Sequence, residues 1–234
     1  NKDEDAPRLL HAYAQDSKNI TLVFNETLDS SSASTLSYYS LASITTSIQY
    51  AVPLPPLFNK VTLTLNAVLE KNKIYPVSVQ SLMDCSGNKI MEQDVQAGLP
   101  DTTGALDIII NEILFNPPER GVDYLELYNR SKRIINAKDL WITNRNNTGD
   151  LTTLRRVCEE DYLIFPGDFI VLTESSKIVR QQFITLNPDA FLDIATMPSL
   201  PNQNGSIVLL NSQGNVIDEL KYDENWHFPL VTNY

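Results

Sequence analysis

Apolar residues alternate with polar ones in short runs over most of the chain. In residues 19–24, Ile20, Leu22 and Phe24 fall on one face, and Val61, Leu63 and Leu65 alternate with Thr62 and Thr64. A period of two is the mark of a strand with one buried face. Residues 9–13, 39–44, 48–52 and 74–82 are weaker runs of the same kind, and Pro76 in the last suits an edge strand or a strand start. Asn, Ser, Asp, Gly and Pro separate the runs. The pattern predicts an antiparallel sandwich of about seven strands. Asp84-Cys-Ser-Gly-Asn88 reads as a turn, with Gly87 supplying a positive φ and the Asp84 side chain closing an Asx-type turn.

The second half repeats the theme. Strands are predicted at 108–114, 124–129, 140–143, 169–172, 207–210 and 216–222. Phe165-Pro-Gly-Asp-Phe169 has Pro and Gly where a type II turn prefers them. Asn211-Ser-Gln-Gly-Asn215 between two apolar runs reads as a hairpin loop. One helix is predicted, over 177–184, with Ser175 or Ser176 as cap and Ile178, Val179 and Phe183 as its apolar stripe. Between the halves, Gln96-Ala-Gly-Leu-Pro-Asp-Thr-Thr-Gly104 has the composition of a linker. The expected organisation is an all-β chain of two tandem Ig-like sandwiches, at 1–98 and 106–234, joined by residues 99–105.

Composition narrows the function more than it defines it. The 234 residues carry 18 basic and 29 acidic side chains, a net charge of −11. Both halves are acidic, so the charge is not confined to a tail. Such a chain is a poor match for duplex nucleic acid, where phosphates call for clustered Lys and Arg. No run approaches the ~18 apolar residues of a membrane helix. Two Cys and two His are too few for the common structural zinc sites. Neither G-x-S-x-G, nor a P-loop, nor G-x-G-x-x-G occurs. His11 and His227 stand alone, so a nucleophile triad has little to rest on. The chain therefore reads as a non-enzyme.

A few residues still carry chemistry. Strict alternation over 108–114 puts Glu112 on the same face as Ile108, Ile110 and Leu114, where an acid must be paired, hydrogen-bonded or at a rim. Glu126 stands outward between Tyr124 and Tyr128, while Leu125 and Leu127 face in. Glu112 and Glu126 are weak candidates for a catalytic pair or, with Asp218, for a calcium site; structural strand acids partnered by Arg120, Arg130 or Arg133 are the plainer reading. Asp218 belongs to an acidic group ending in Tyr222-Asp-Glu-Asn225, without calcium-loop spacing. Tyr222 and Trp226 are weak ligand-binding candidates, since aromatic faces stack on sugars; packing is the plainer role. Cys85 and Cys158 would bridge only with Cα atoms within about 7 Å, and two separate thiols are expected.

Two resemblances rest on these residues. Residues 6–95 resemble a bacterial Ig-like module of surface and adhesin-like proteins. The match is carried by Ala6-Pro7, Val23-Phe-Asn-Glu-Thr-Leu-Asp29, Tyr39, Tyr75 and Leu82-Met-Asp-Cys-Ser-Gly-Asn88. The second half is similar to a bacterial lamin-tail domain, an Ig-like sandwich. Here the residues are Ile110-Asn-Glu-Ile-Leu114, Asp123-Tyr-Leu-Glu-Leu-Tyr-Asn129, Leu140-Trp-Ile142, Phe165-Pro-Gly-Asp-Phe-Ile-Val-Leu172, Asn204-Gly-Ser-Ile-Val-Leu-Leu210 and Gly214-Asn-Val-Ile-Asp218. That family's pattern runs on by at least one strand, so the resemblance implies either that something outside these residues closes the domain or that the full protein continues past Tyr234.

The resemblance implies an extracytoplasmic module, in the periplasm or on the outer surface of a bacterium. It implies no transferable catalytic site. The expected role is adhesion, protein contact or spacing, without a cofactor, as a monomer. Partners would be a protein or glycan at the cell surface and not nucleic acid. Any membrane anchoring would come from a leader outside these residues. A carbohydrate-binding accessory module of a secreted hydrolase and a calcium-stabilised adhesin are the alternatives.

Overall fold

A computed structural model describes residues 3–43 and 46–226. Ile44, His227 and Tyr234, each named above, lie outside the described residues. The chain divides into two compact units, residues 1–101 and 102–234.

The N-terminal unit holds β1 (Leu9–Ala14), β2 (Asn19–Phe24), α1 (Ser30–Ala33), β3 (Tyr39–Leu41), β4 (Ile48–Pro53), β5 (Lys60–Leu65), β6 (Tyr75–Val79) and β7 (Gln93–Ala97). One sheet has the order β1-β2-β5-β4 and the other β3-β6-β7, every pairing antiparallel. The alternation is literal on β5, where Val61, Leu63 and Leu65 are buried and the intervening residues are not. These side chains meet Leu22, Phe24, Tyr75 and Val77 in one core. Each large apolar side chain so buried contributes about 1.5–3 kcal/mol.

The residues that carried the first resemblance come together as structure. Asp29 caps α1 by accepting from the Ser32 amide at 2.7 Å. Leu28, buried, forms a bridge with Asp84, and the Asp29 amide donates to the Met83 carbonyl. Asp84 Oδ1 accepts from the amides of Ser86 and Asn88, both at 2.8 Å, in the expected turn. Gly87 sits there at φ +89°, a conformation side chains resist.

The C-terminal unit holds β8 (Ile108–Leu114), β9 (Tyr124–Asn129), β10 (Ile135–Asn136), β11 (Leu140–Thr143), β12 (Arg155–Arg156), β13 (Leu163–Ile164), β14 (Phe169–Thr173), α2 (Ser176–Gln182), β15 (Phe191–Asp193), β16 (Asn204–Asn211) and β17 (Val216–Asp223). Its sheets run β15-β14-β9-β8 and β12-β11-β16-β17, with β10 and β13 paired separately. Leu125, Leu127, Ile142, Leu172, Ile207 and Leu209 fill the core. β15 joins β14 in parallel, the one parallel pairing among the described strands.

The polar joints of this unit are equally specific. Asn129, fully buried at the end of β9, donates to the carbonyls of Arg133 and Ile164 at 2.8 Å and accepts from the Ser131 hydroxyl at 2.7 Å. The hairpin between β16 and β17 turns at Asn211, whose side chain accepts from the Gln213 and Asn215 amides. Each unit holds its own end of the chain at the boundary. Lys71 pairs with Asp101, while Thr102, Thr103 and Gly104 are held by Arg133, Asn211 and Asp107. Both cysteines are free thiols.

Candidate functional site

The site is the outer face of the sheet β15-β14-β9-β8. Cross-strand partners share a face, so register decides which side chains stand together. Glu112 on β8 is opposite Glu126 on β9, Glu126 is opposite Val171 on β14, and Val171 is opposite Phe191 on β15. One row thus crosses four strands, acidic at one end and apolar at the other.

Glu112 reaches that row through a bulge. Ile110 pairs with Leu127 and Glu112 with Glu126, so Asn111 is an extra residue on β8. The inward positions are Ile110 and Ile113, both packed on the core. Strict alternation placed Glu112 with Ile108 and Ile110. The bulge shifts the phase by one residue and turns Glu112 outward. Glu126 stands outward as expected, since β9 alternates without interruption.

The two carboxylates are held by neutral donors. The Tyr124 hydroxyl donates to Glu112 in a very short bond, and Asn111 Nδ2 donates to Glu126 at 2.7 Å. Burial, together with Glu112, pushes the Tyr124 phenol well above its ordinary range, so it remains the donor across physiological pH. Tyr162, at the same cavity, is pushed up to about 12 by burial and by Asp168 and Asp189.

Around the row lies an open cavity of about 620 Å³, within the ~300–1,000 Å³ span usual for ligand sites. Tyr124 meets Phe183 edge-on at 6.0 Å, and Tyr128 stacks on Phe169 at 4.4 Å. α2 sends Val179 inward, and the segment after it carries Ile184 and Leu186, 97% and 98% exposed. The predicted helix ran to 184; the observed one ends at Gln182, leaving Ile184 in the loop that edges the cavity.

The other candidates fall elsewhere. Asp218 accepts from the Ile110 amide at 2.8 Å and the Glu219 amide at 2.9 Å, which ties β17 to β8. Tyr222 corrects an expectation. It is buried, its ring tilted against Phe115 with centroids 4.4 Å apart, and its hydroxyl donates to the Pro201 carbonyl, so its ring packs in the core and is not offered at the surface. Trp226 is exposed at the end of the described chain. Arg120 pairs with Glu119 and Arg133 with Asp107, so neither serves Glu112 or Glu126.

Among the described residues, one group of three carboxylates gathers its oxygens within 4.8 Å: Asp3, Glu26 and Asp84. No sequence motif marks it, because its members come from three separate segments, at positions 3, 26 and 84, that only the fold brings together. Burial, then Asp3 and Asp84, hold the Glu26 carboxyl above its ordinary range. Burial also pushes Asp84 up, but its hydrogen bonds from Asn88 and Ser86 outweigh that and leave it below the usual value.

The unit is a β-sandwich with an open face that is acidic at one end and apolar at the other. Its particular family is plain: a model described as Lamin Tail Domain matches residues 101–224. The match covers more than half of the chain, which belongs to the lamin tail domain family. No curated protein matches the chain. Among solved structures, the N-terminal part of the bacterial S-layer protein SbsC is 12% identical with a TM-score of 0.38, over 94% of this chain and 44% of that one. Native alpha-2-macroglobulin from Escherichia coli, domains MG0-NIE-MG1, is 11% identical with a TM-score of 0.31, over 96% and 89%. The chain therefore spans less than half the length of the S-layer chain.

Proposed function

We propose that the chain is a non-catalytic interaction module of a bacterial cell-surface protein, acting outside the cytoplasm, as a monomer and without a cofactor. The lamin tail family and the Ig-like pattern of the first half support the setting. The observation that carries the binding role is the outward row of Glu112, Glu126, Val171 and Phe191 beside an exposed aliphatic lip. The carboxylates there meet Tyr and Asn donors rather than a nucleophile and its base. A protein partner is the favoured occupant. The stacked Tyr128 and Phe169 give a sugar-binding reading its one specific support.

The test has two parts. Antibody labelling and protease treatment of intact cells of the source bacterium are expected to reach the native protein. Purified chain is expected to turn over no polysaccharide, ester or phosphodiester. Turnover abolished by Glu112→Gln or Glu126→Gln would overturn the non-catalytic reading. Protection of the protein until cells are lysed would overturn the location.

A further inference from the structure

The groove contains an imbalance that folding does not explain. Glu112 and Glu126 are direct cross-strand partners, and like charges so placed destabilise a sheet. Among the described residues, no Lys or Arg forms an ion pair with either. Basic side chains of this unit pair with Glu119, Asp107, Asp161, Glu219 and Glu159. Beside the uncompensated pair, Ile184 and Leu186 stand almost wholly in solvent. Local rules are broken twice on one face of an otherwise consistent sandwich, which is the pattern of a working surface.

Resting on the interaction-module reading, we propose that this groove receives an extended segment of a partner protein in which an arginine is flanked by apolar residues. The charge selects a cation, on a chain that is already strongly acidic. Two carboxylates from neighbouring strands suit a guanidinium, whose planar fork offers several donors at once. The rest of the row selects what flanks it. With strands about 4.8 Å apart, the row spans roughly 14 Å from β8 to β15. Residues i and i+2 of an extended peptide lie on one side about 6.7 Å apart. An arginine over Glu112 and Glu126 thus places one i±2 neighbour near Val171, with Phe191 beyond it, while the other runs out past β8.

The probe is a fluorescein-labelled peptide, Gly-Leu-Ser-Arg-Ser-Leu-Gly, read by fluorescence anisotropy with the full chain. Its counterparts carry citrulline or Lys for Arg, or Ser for both Leu. Protein variants are Glu112→Gln with Glu126→Gln, Ile184→Ser with Leu186→Ser, and a control of equal net charge, Glu4→Gln with Glu92→Gln. Unfolding midpoints confirm that each variant folds. The groove double variant and the citrulline peptide are each expected to weaken binding about tenfold or more, the scale of a lost charge-assisted contact. The lip variant and the Leu-less peptide weaken it less, and the control leaves it unchanged.

Equal binding of arginine and citrulline peptides, or equal weakening by the control variant, overturns the proposal. So does failure of the arginine peptide to bind at millimolar concentration. Saturable binding of a chitin or cellulose oligosaccharide that the groove double variant abolishes, without peptide binding, overturns it in favour of a glycan. If the peptide fails while the intact-cell and turnover tests succeed, the partner chemistry is wrong and the module reading stands.

Discussion

Asp84 and Glu126 are both carboxylates in β-sandwiches of the same chain, and they are treated in opposite ways. Asp84 is buried and receives two backbone amides and the Asn88 side chain. Those bonds close the turn next to Leu28 and hold the carboxyl below its ordinary range against the upward push of burial. Glu126 is half-buried and receives one neutral amide, and its nearest charged neighbour in register is another glutamate. The first carboxylate is consumed by the fold. The second is left with capacity to bind. Counting acids in the sequence does not separate them, whereas counting the donors each one meets does.

The contrast can be broken most forcefully at Asp84. Asp84→Ala strands the Ser86 and Asn88 amides and is expected to destabilise the N-terminal unit by about 2–3 kcal/mol, the range for hydrogen bonds to a charged group. Asp84→Asn, which keeps one acceptor, should cost less. Chemical denaturation with m-values compared across the variants checks both, and a loss below ~0.5 kcal/mol would remove the distinction.

A consumed carboxylate in the C-terminal unit gives a smaller effect with a definite pH signature. Glu219 meets the Arg145 guanidinium at 2.8 and 2.9 Å, and this hydrogen-bonded pairing lowers its pKa from the ordinary 4.5. A lowered folded-state pKa adds stability above the unfolded value, and that stability is lost as pH falls through the folded one. Glu219→Gln is therefore expected to be less stable than the parent at neutral pH. The difference should close as acid protonates Glu219 below pH 4.5. A difference constant with pH would show that the pair contributes nothing electrostatic.

Glu112 and Glu126 give the smallest shift, and of the opposite sign. Glu112→Gln or Glu126→Gln relieves a like-charge contact while the Gln oxygen still accepts from Tyr124 or Asn111, so either is expected to leave stability unchanged or raise it by a few tenths of a kcal/mol. EDTA should shift neither unit's unfolding midpoint, since Asp84 in the Asp3, Glu26 and Asp84 group is already satisfied by protein donors. A drop on chelation would reassign that group to a metal.

Much of the scaffold was legible in the sequence because its strands keep a strict period. β5 and β9 alternate strictly and read directly, and Gly87, Gly167 and Gly214 mark turns at positive φ. β7 was missed because Gln93-Asp-Val-Gln-Ala97 offers only Val95 and Ala97 as apolar positions and is held by pairing with β6. α1 was hidden in a serine run whose helicity depends on the Asp29 cap. The site was half legible. Glu126 follows from alternation, but Glu112 needs the Asn111 bulge, which no period reveals. Tyr222 misled because an aromatic near an acidic run looks exposed, whereas its ring fills the space beside Phe115 and over Gly205.

The central claim is that the paired charge of Glu112 and Glu126, beyond the hydrogen bonds these side chains accept from Tyr124 and Asn111, serves a ligand and not the fold. Thermal unfolding of the parent chain and of the Glu112→Gln, Glu126→Gln double variant, each with and without the arginine peptide, tests it directly. The expected result is a double variant at least as stable as the parent without peptide, and a peptide-induced rise in midpoint in the parent alone. A double variant less stable by more than ~1 kcal/mol, the scale of a lost structural hydrogen bond, with no peptide-induced rise in either protein, would contradict it.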